Sequence, residues 1–238
     1  MCESCGCGTH GDETIVVRQN LLSANDRVAA HVREHFDVRG VLAINLMSSP
    51  GAGKTSLLEA TIGALPPEIR VAVIEGDLET ENDAERIRRH GVRAAQITTG
   101  VACHLDASMV HDAVDALGLD GIDILFIENV GNLVCPADFD IGQHRNVVLL
   151  SVAEGDDKPE KYPVMFRNAD LVLISKTDLL PYMDDFDLTR ACGAIARLRG
   201  GDRVREVSAR TTGGVEAWRD WLIAELAAHR RACGAAAA

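Results

Sequence analysis

Long hydrophobic runs are missing from this 238-residue chain. None approaches the ~18 apolar residues of a membrane-spanning helix, and the first twenty residues carry no basic-then-apolar leader pattern. A cytoplasmic protein is expected. Aromatic residues are scarce at 4%, which leaves no platform for stacking the bases of single-stranded nucleic acid. Positive charge is also short: 24 Lys and Arg against 36 Asp and Glu give a formal net charge of −12. Such a surface repels nucleic acid and anionic membrane and argues against both as partners. An acidic chain that nevertheless binds an anion must carry a local device for it.

What is present reads as an α/β protein. Seven short apolar runs stand out: VLAINLM (41–47), VAVIEG (71–76), AAQIT (94–98), IDILFIE (122–128), NVVLLSVA (146–153), DLVLIS (170–175) and VREVS (204–208). They are continuously apolar rather than alternating, as strands covered on both faces are. Helical stretches at 54–64, 81–90, 103–117, 187–198 and 214–230 separate most of them, which predicts a mostly parallel sheet of about seven strands with helices on both faces. Ligands in such folds sit at the carboxyl ends of the strands. The expected divisions are a mobile tail at 1–14, an amphipathic helix at 15–40 (Leu21, Leu22, Val28, Val32 and Phe36 forming its apolar face), the main domain at 41–231 and a frayed end at 232–238.

The stretch VLAINLMSSPGAGKTSLLEA is a buried strand, a glycine-containing loop and a helix. Gly51 and Gly53 let successive backbone N–H groups point inward, and the helix amino end adds its dipole. Lys54 can reach the β- and γ-phosphates, and the Thr55 hydroxyl can ligate Mg²⁺. Pro50, Ala52 and Ser56 complete the cradle. It departs from the strict GxxxxGK[ST] pattern, because Ser48 occupies the first glycine position. This P-loop is the device the acidic composition requires.

Two later stretches choose the base. In LVLISKTDLL, Asp178 can accept from both N1–H and N2–H₂ of guanine, paired donors that adenine lacks, and Lys176 would lie over the base plane. SKTD is similar to the NKxD motif of GTPases, with Ser175 in place of Asn. REVSARTTGG is similar to their SAK loop, whose Ala209 amide would face the guanine oxygen, with Ser208 beside it in the nucleotide-binding set. After IDILFIE, Glu128 and Gly131 form ExxG where GTPases usually have DxxG. Glu128 is placed to hold a Mg²⁺-bound water and the Gly131 amide to meet the γ-phosphate. Asp77, closing VAVIEGD, is a second candidate near Mg²⁺.

Of seven cysteines, an odd number, most read better as ligands or reduced thiols than as disulfides. Cys192 and Cys233 read as small core residues. Cys103 and His104 occur where a loop becomes a helix, a position expected to lower a thiol pKa. Cys135 follows Gly131 by four residues, so a shift of one should carry the other. Two thiolates and an imidazole suit Zn²⁺ or Ni²⁺. Cys2, Cys5 and Cys7 in MCESCGCG are harder to place: pairing two strands the third, and a zinc knuckle wants a fourth ligand.

Taken in order, MCESCGCG, SSPGAGKT, EGDLET, ACHLDA, ENVGNLVCP, EGDDKPEKYP and SKTDLLPY resemble the HypB family of hydrogenase nickel-incorporation GTPases, whose fold is that of the SIMIBI class of P-loop NTPases. The resemblance implies slow GTP hydrolysis to GDP and phosphate, needed to insert nickel into the [NiFe]-hydrogenase large subunit, and a nucleotide-dependent homodimer. It implies nickel or zinc at Cys103, His104 and Cys135, and a separate nickel site at Cys2, Cys5 and Cys7, with His10 or the terminal amine as an undecided fourth ligand. It implies a HypA-type nickel accessory protein as partner, and Lys158 and Lys161 near the dimer interface and nucleotide. Some relatives carry histidine-rich tracts; residues 8–19 offer only His10, so bulk nickel storage is not expected. The rival readings are the urease-accessory type of metal-insertion GTPase, an ATP-dependent small-molecule kinase on the same fold, and a metal-binding module that does not hydrolyse nucleotide.

Overall fold

The computed structural model describes residues 10–77, 82–100, 102–211 and 213–236. Cys2, Cys5 and Cys7 lie outside them, as does the side chain of Asp77. The chain runs α1 (His10–Arg39), β1 (Leu42–Ser48), α2 (Lys54–Ala64), β2 (Val71–Asp77), α3 (Asn82–Arg88), β3 (Arg93–Thr98), α4 (Ala107–Leu117), β4 (Ile124–Glu128), β5 (Arg145–Ser151), α5 (Lys158–Lys161), α6 (Pro163–Asn168), β6 (Leu171–Ser175), α7 (Leu188–Leu198), β7 (Val204–Glu206) and α8 (Glu216–Ala236). The seven strands form one sheet in the order β3-β2-β4-β1-β5-β6-β7. Every pairing is parallel.

The continuous apolar runs have their predicted cause. Alternate residues of β1 and β4 go to opposite faces: Leu42, Ile44, Leu46 and Phe126 pack under α2 and α8, while Ala43, Leu125 and Ile127 pack under α1 and α4. A third cluster, around Val148, Leu150, Val172 and Ile174, lies under α6 and α7. On the first face Trp218 is fully buried and spends its indole N–H on Thr61 Oγ1 at 3.0 Å.

Four expectations change. Helix α1 already begins at His10, inside the segment read as a tail, and α8 continues to Ala236 through most of the end read as frayed. Leu21 is 64% exposed, although Val32 and Phe36 on the same helix are buried. Eleven positions make about three turns, so Leu21 shares the azimuth of Val32; it is exposed because α1 outruns the body. Asn25 ties the helix to the body: it donates to the Asp140 carbonyl at 2.7 Å and accepts from Ala107 N at 2.9 Å. Finally, α4 starts at Ala107 rather than at 103. Among the described residues no helix is long and apolar enough to cross a membrane.

Candidate functional site

The carboxyl ends of β1, β2, β4 and β6 border one cavity of about 630 Å³. The loop from Pro50 to Ser56 forms one wall, and Gly131, Lys176, Asp178 and Ala209 contribute others. Gly51 and Gly53 take φ of +75° and +99°, which an L side chain rarely adopts and which turns the loop into α2. Lys54 and Thr55 are each only 8% exposed. Lys54 Nζ donates to Ser48 Oγ at 3.0 Å and lies 3.7 Å from Glu128 Oε1. Ser48, the residue at odds with the strict loop pattern, is therefore a seat for the lysine.

Lys176, Asp178 and Ala209, read in the sequence as the guanine side, border the same cavity. Ser175, where the GTPase motif has Asn, donates its hydroxyl to the Ala52 carbonyl at 2.8 Å and so ties β6 to the phosphate loop. Lys176 adopts a left-handed backbone, φ 59°, and reaches back to the Gly51 carbonyl at 2.7 Å. Ser208 Oγ donates to Asp178 Oδ1 at 2.6 Å, holding the carboxylate that would read the base. Lys158 and Lys161 do not line the cavity. Lys161 pairs with Asp157, and Lys158 lies over the Tyr162 ring.

Glu75 is the residue that sequence reasoning passed over. Parallel pairing sets Glu75 opposite Glu128, so both carboxyls meet beneath the phosphate loop. Glu75 is 2% and Glu128 6% exposed. Burial, then the neighbouring Glu128, pushes the Glu75 pKa up to about 10. Burial raises Glu128 as well, against the pull of Lys54. Thr55 Oγ1 donates to both Glu128 oxygens at 3.2 and 3.3 Å, while Glu75 Oε1 has no hydrogen-bond partner. Two buried carboxyls, one of them with an orphaned oxygen, and a hydroxyl form a hard-oxygen set that fits Mg²⁺. A charged residue inside the apolar run VAVIEG was the available signal.

Cys103, His104 and Cys135 also converge, their ligating atoms all within 4.8 Å of one another. The two sulfurs are 2.9 Å apart as free thiols. The expected lowering of the Cys103 pKa is not found. The amino end of α4 is capped by Asp106, which accepts from Met109 N at 2.8 Å, and Cys103 lies outside that turn. Its pKa is raised instead, first by the hydrogen bond with Cys135 and then by burial. Burial lowers the His104 pKa, which favours the neutral, metal-binding imidazole.

Two asparagines unnoticed in the sequence join this cluster to the segment after β4. Asn132 Nδ2 donates to the Cys103 carbonyl at 3.2 Å, and Asn129 Oδ1 accepts from Leu105 N at 3.2 Å. Between them stands Gly131, where an added Cβ would come within 2.9 Å of Pro50 Cα. Segment 129–135 thus meets the phosphate loop through Gly131 and the thiol loop through Asn129, Asn132 and Cys135.

Residues 42–204 match the family model described as CobW/HypB/UreG, nucleotide-binding domain. The hydrogenase maturation factor HypB of Rhizobium leguminosarum bv. viciae is 53% identical over 227 residues, covering 94% of this chain and 74% of that protein. HypB of Escherichia coli K12 is 46% identical, covering 90% of this chain and 76% of that one. The chain belongs to the HypB family. The crystal structure of Helicobacter pylori HypB in complex with nickel superposes with a TM-score of 0.83 at 41% identity, over 87% of this chain and 97% of that one. HypB of Archaeoglobus fulgidus gives 0.80 at 39% identity, over 86% of this chain and all of that one. The HypB family assignment agrees with a P-loop nucleotide-binding fold beside a thiol cluster.

Proposed function

We propose that the protein is a GTP-hydrolysing nickel metallochaperone that helps insert nickel into the large subunit of [NiFe]-hydrogenase. The observation that carries this reading is segment 129–135, packed on the phosphate loop through Gly131 and bonded to the Cys103 loop through Asn129 and Asn132. A γ-phosphate held by Lys54 and the Gly131 amide would press on this segment. Its loss on hydrolysis would let Gly131, and with it Cys135, relax, changing the spacing of the two sulfurs. A hundredfold change in metal affinity needs about 2.7 kcal/mol of differential binding, within reach of one or two charge-assisted hydrogen bonds.

When bound, Mg²⁺ would be held by Thr55, Glu128 and Glu75, with Asp77 as the fourth candidate, and would neutralise phosphate charge. The chain's own contribution is to orient: Ser48 seats Lys54, and Ser208 holds Asp178 toward guanine. Nickel or zinc at Cys103, His104 and Cys135 is cargo. Cys2, Cys5 and Cys7 form a second nickel site. Val134, beside Cys135 and 57% exposed, is an apolar surface that a second copy would cover in a GTP-dependent homodimer. That dimer would bring Lys158 and Lys161 near the nucleotide. A HypA-type accessory protein and the hydrogenase large subunit are the expected donor and acceptor of nickel.

Titration with Ni²⁺ and with Zn²⁺, in GTP, GDP or neither, followed by chromatographic mass, tests the reading. Metal affinity and mass should both depend on the nucleotide. Identical metal uptake in all three states would reduce the protein to a hydrolase that also carries nickel.

A further inference from the structure

A separate set of donors lies away from both sites described above. His31 and His35 are four residues apart on α1 and so share a face. His111 reaches them from α4. One ligating nitrogen from each of the three lies within 4.8 Å of the others. The His31 and His35 ring centroids are 4.4 Å apart, and His111 sits 5.7 Å from the first and 5.9 Å from the second. Among the described residues none of these rings makes a hydrogen bond, so each neutral imidazole keeps one ring-nitrogen lone pair free for a ligand.

The nearest opposite charges are Asp112 Oδ1 and Asp115 Oδ2, 3.6 and 3.8 Å from His111 Nδ1. Carboxylates on that side favour a proton on Nδ1 and leave Nε2 to a metal, the usual outer-shell arrangement of a ligating histidine. The other histidine-containing group differs. Around Asp37, His229 and Cys233 the donors already satisfy one another: His144 Nε2 lies 3.0 Å from Asp37 Oδ1, and Cys233 Sγ 3.5 Å from His229 Nε2.

We propose that His31, His35 and His111 form a further transition-metal site that takes Ni²⁺ or Zn²⁺ through imidazole nitrogen alone. Imidazole is a borderline donor suited to these ions and not to Mg²⁺. The site lies on the helix that leads back toward Cys2, Cys5 and Cys7. His111 stands five residues beyond the Asp106 cap, so α4 carries it away from the loop that holds Cys103 and His104. An ion held here would be independent of the nucleotide, because neither α1 nor α4 lines the nucleotide cavity.

The test uses the full chain with Cys2, Cys5, Cys7, Cys103 and Cys135 replaced by Ser. Calorimetric titration with Ni²⁺, and separately with Zn²⁺, should still find one equivalent. Its nickel complex should lack thiolate-to-nickel charge-transfer absorption, since no sulfur ligates. Adding His111→Gln should weaken that equivalent about tenfold or more, and His31→Gln with His35→Gln should remove it. Should the five Ser replacements unfold the chain, the natural chain and its His111→Gln variant are compared directly. The variant should then bind one equivalent fewer with unchanged charge-transfer intensity and an unchanged response to GTP. Equal stoichiometry and affinity with and without the three histidines would overturn the proposal.

Discussion

The two halves of the site are built by different means. The carboxyl pair under the phosphate loop is set by strand register: Glu75 and Glu128 face each other because β2 and β4 pair residue for residue, and both are almost fully buried. The thiol pair is set by loops. Cys103 is exposed, and its partner is reached through Asn132, Asn129 and the short turn at Cys135–Ala137. A sheet cannot shift one residue without losing a ladder of hydrogen bonds, whereas loops held by a few side-chain bonds can. Under the proposed function, the nucleotide would be read by the rigid part and answered by the movable one.

The largest effect that could break this contrast is Lys54→Ala. Removing the cation from a buried carboxylate neighbourhood should cost GTP binding about 3 kcal/mol or more, a loss on the order of a hundredfold. Normal binding by calorimetry would disprove the cradle. Asp178→Asn should cost guanine nucleotides a comparable amount, about two charge-assisted hydrogen bonds. Competition of GTP with ATP measures it, and an unchanged preference would put base recognition elsewhere.

Glu75→Gln should weaken the Mg²⁺-dependent part of nucleotide affinity about tenfold and leave affinity without Mg²⁺ nearly alone. Equal effects in both conditions would make Glu75 a packing residue. His144 sharpens the rigid side. Its Nδ1 accepts from Ala43 N at 2.9 Å, and burial lowers its pKa to about 4. The unfolded chain takes up this proton near pH 6.5 and the folded chain only near pH 4, so stability is full above about 6.5 and falls toward 4. The slope from this one group is at most about 1.4 kcal/mol per pH unit. Urea titrations across that window should show it, and it should be missing from His144→Gln. The smallest effect belongs to the movable side. Asn132→Ala removes one hydrogen bond, and should shrink the GTP/GDP ratio of metal affinities about threefold with GTP binding intact. An unchanged ratio would mean the signal travels by another route.

Much of this was legible beforehand. The strand runs, the phosphate loop, SKTD and the Cys–His pair each announce themselves within a dozen residues, because backbone periodicity and turn chemistry are local. Glu75 was not legible, hidden in an apolar run whose partner strand is some fifty positions on. The thiol pKa was read with the wrong sign, since it follows from contact with Cys135 rather than from a helix end. Leu21 fits the helical pattern and is exposed all the same, because periodicity tells which way a residue faces and not how far the body extends.

By itself, then, the order of residues determined the element types, the parallel α/β arrangement and the chemical kinds of donor available, all properties of neighbours along the chain. Tertiary structure alone decided which donors meet: Glu75 with Glu128, Cys103 with Cys135, and His111 with a pair of histidines on another helix. Register and helix packing set those distances, and both arise from burial summed over the whole sheet, which no short stretch of sequence contains.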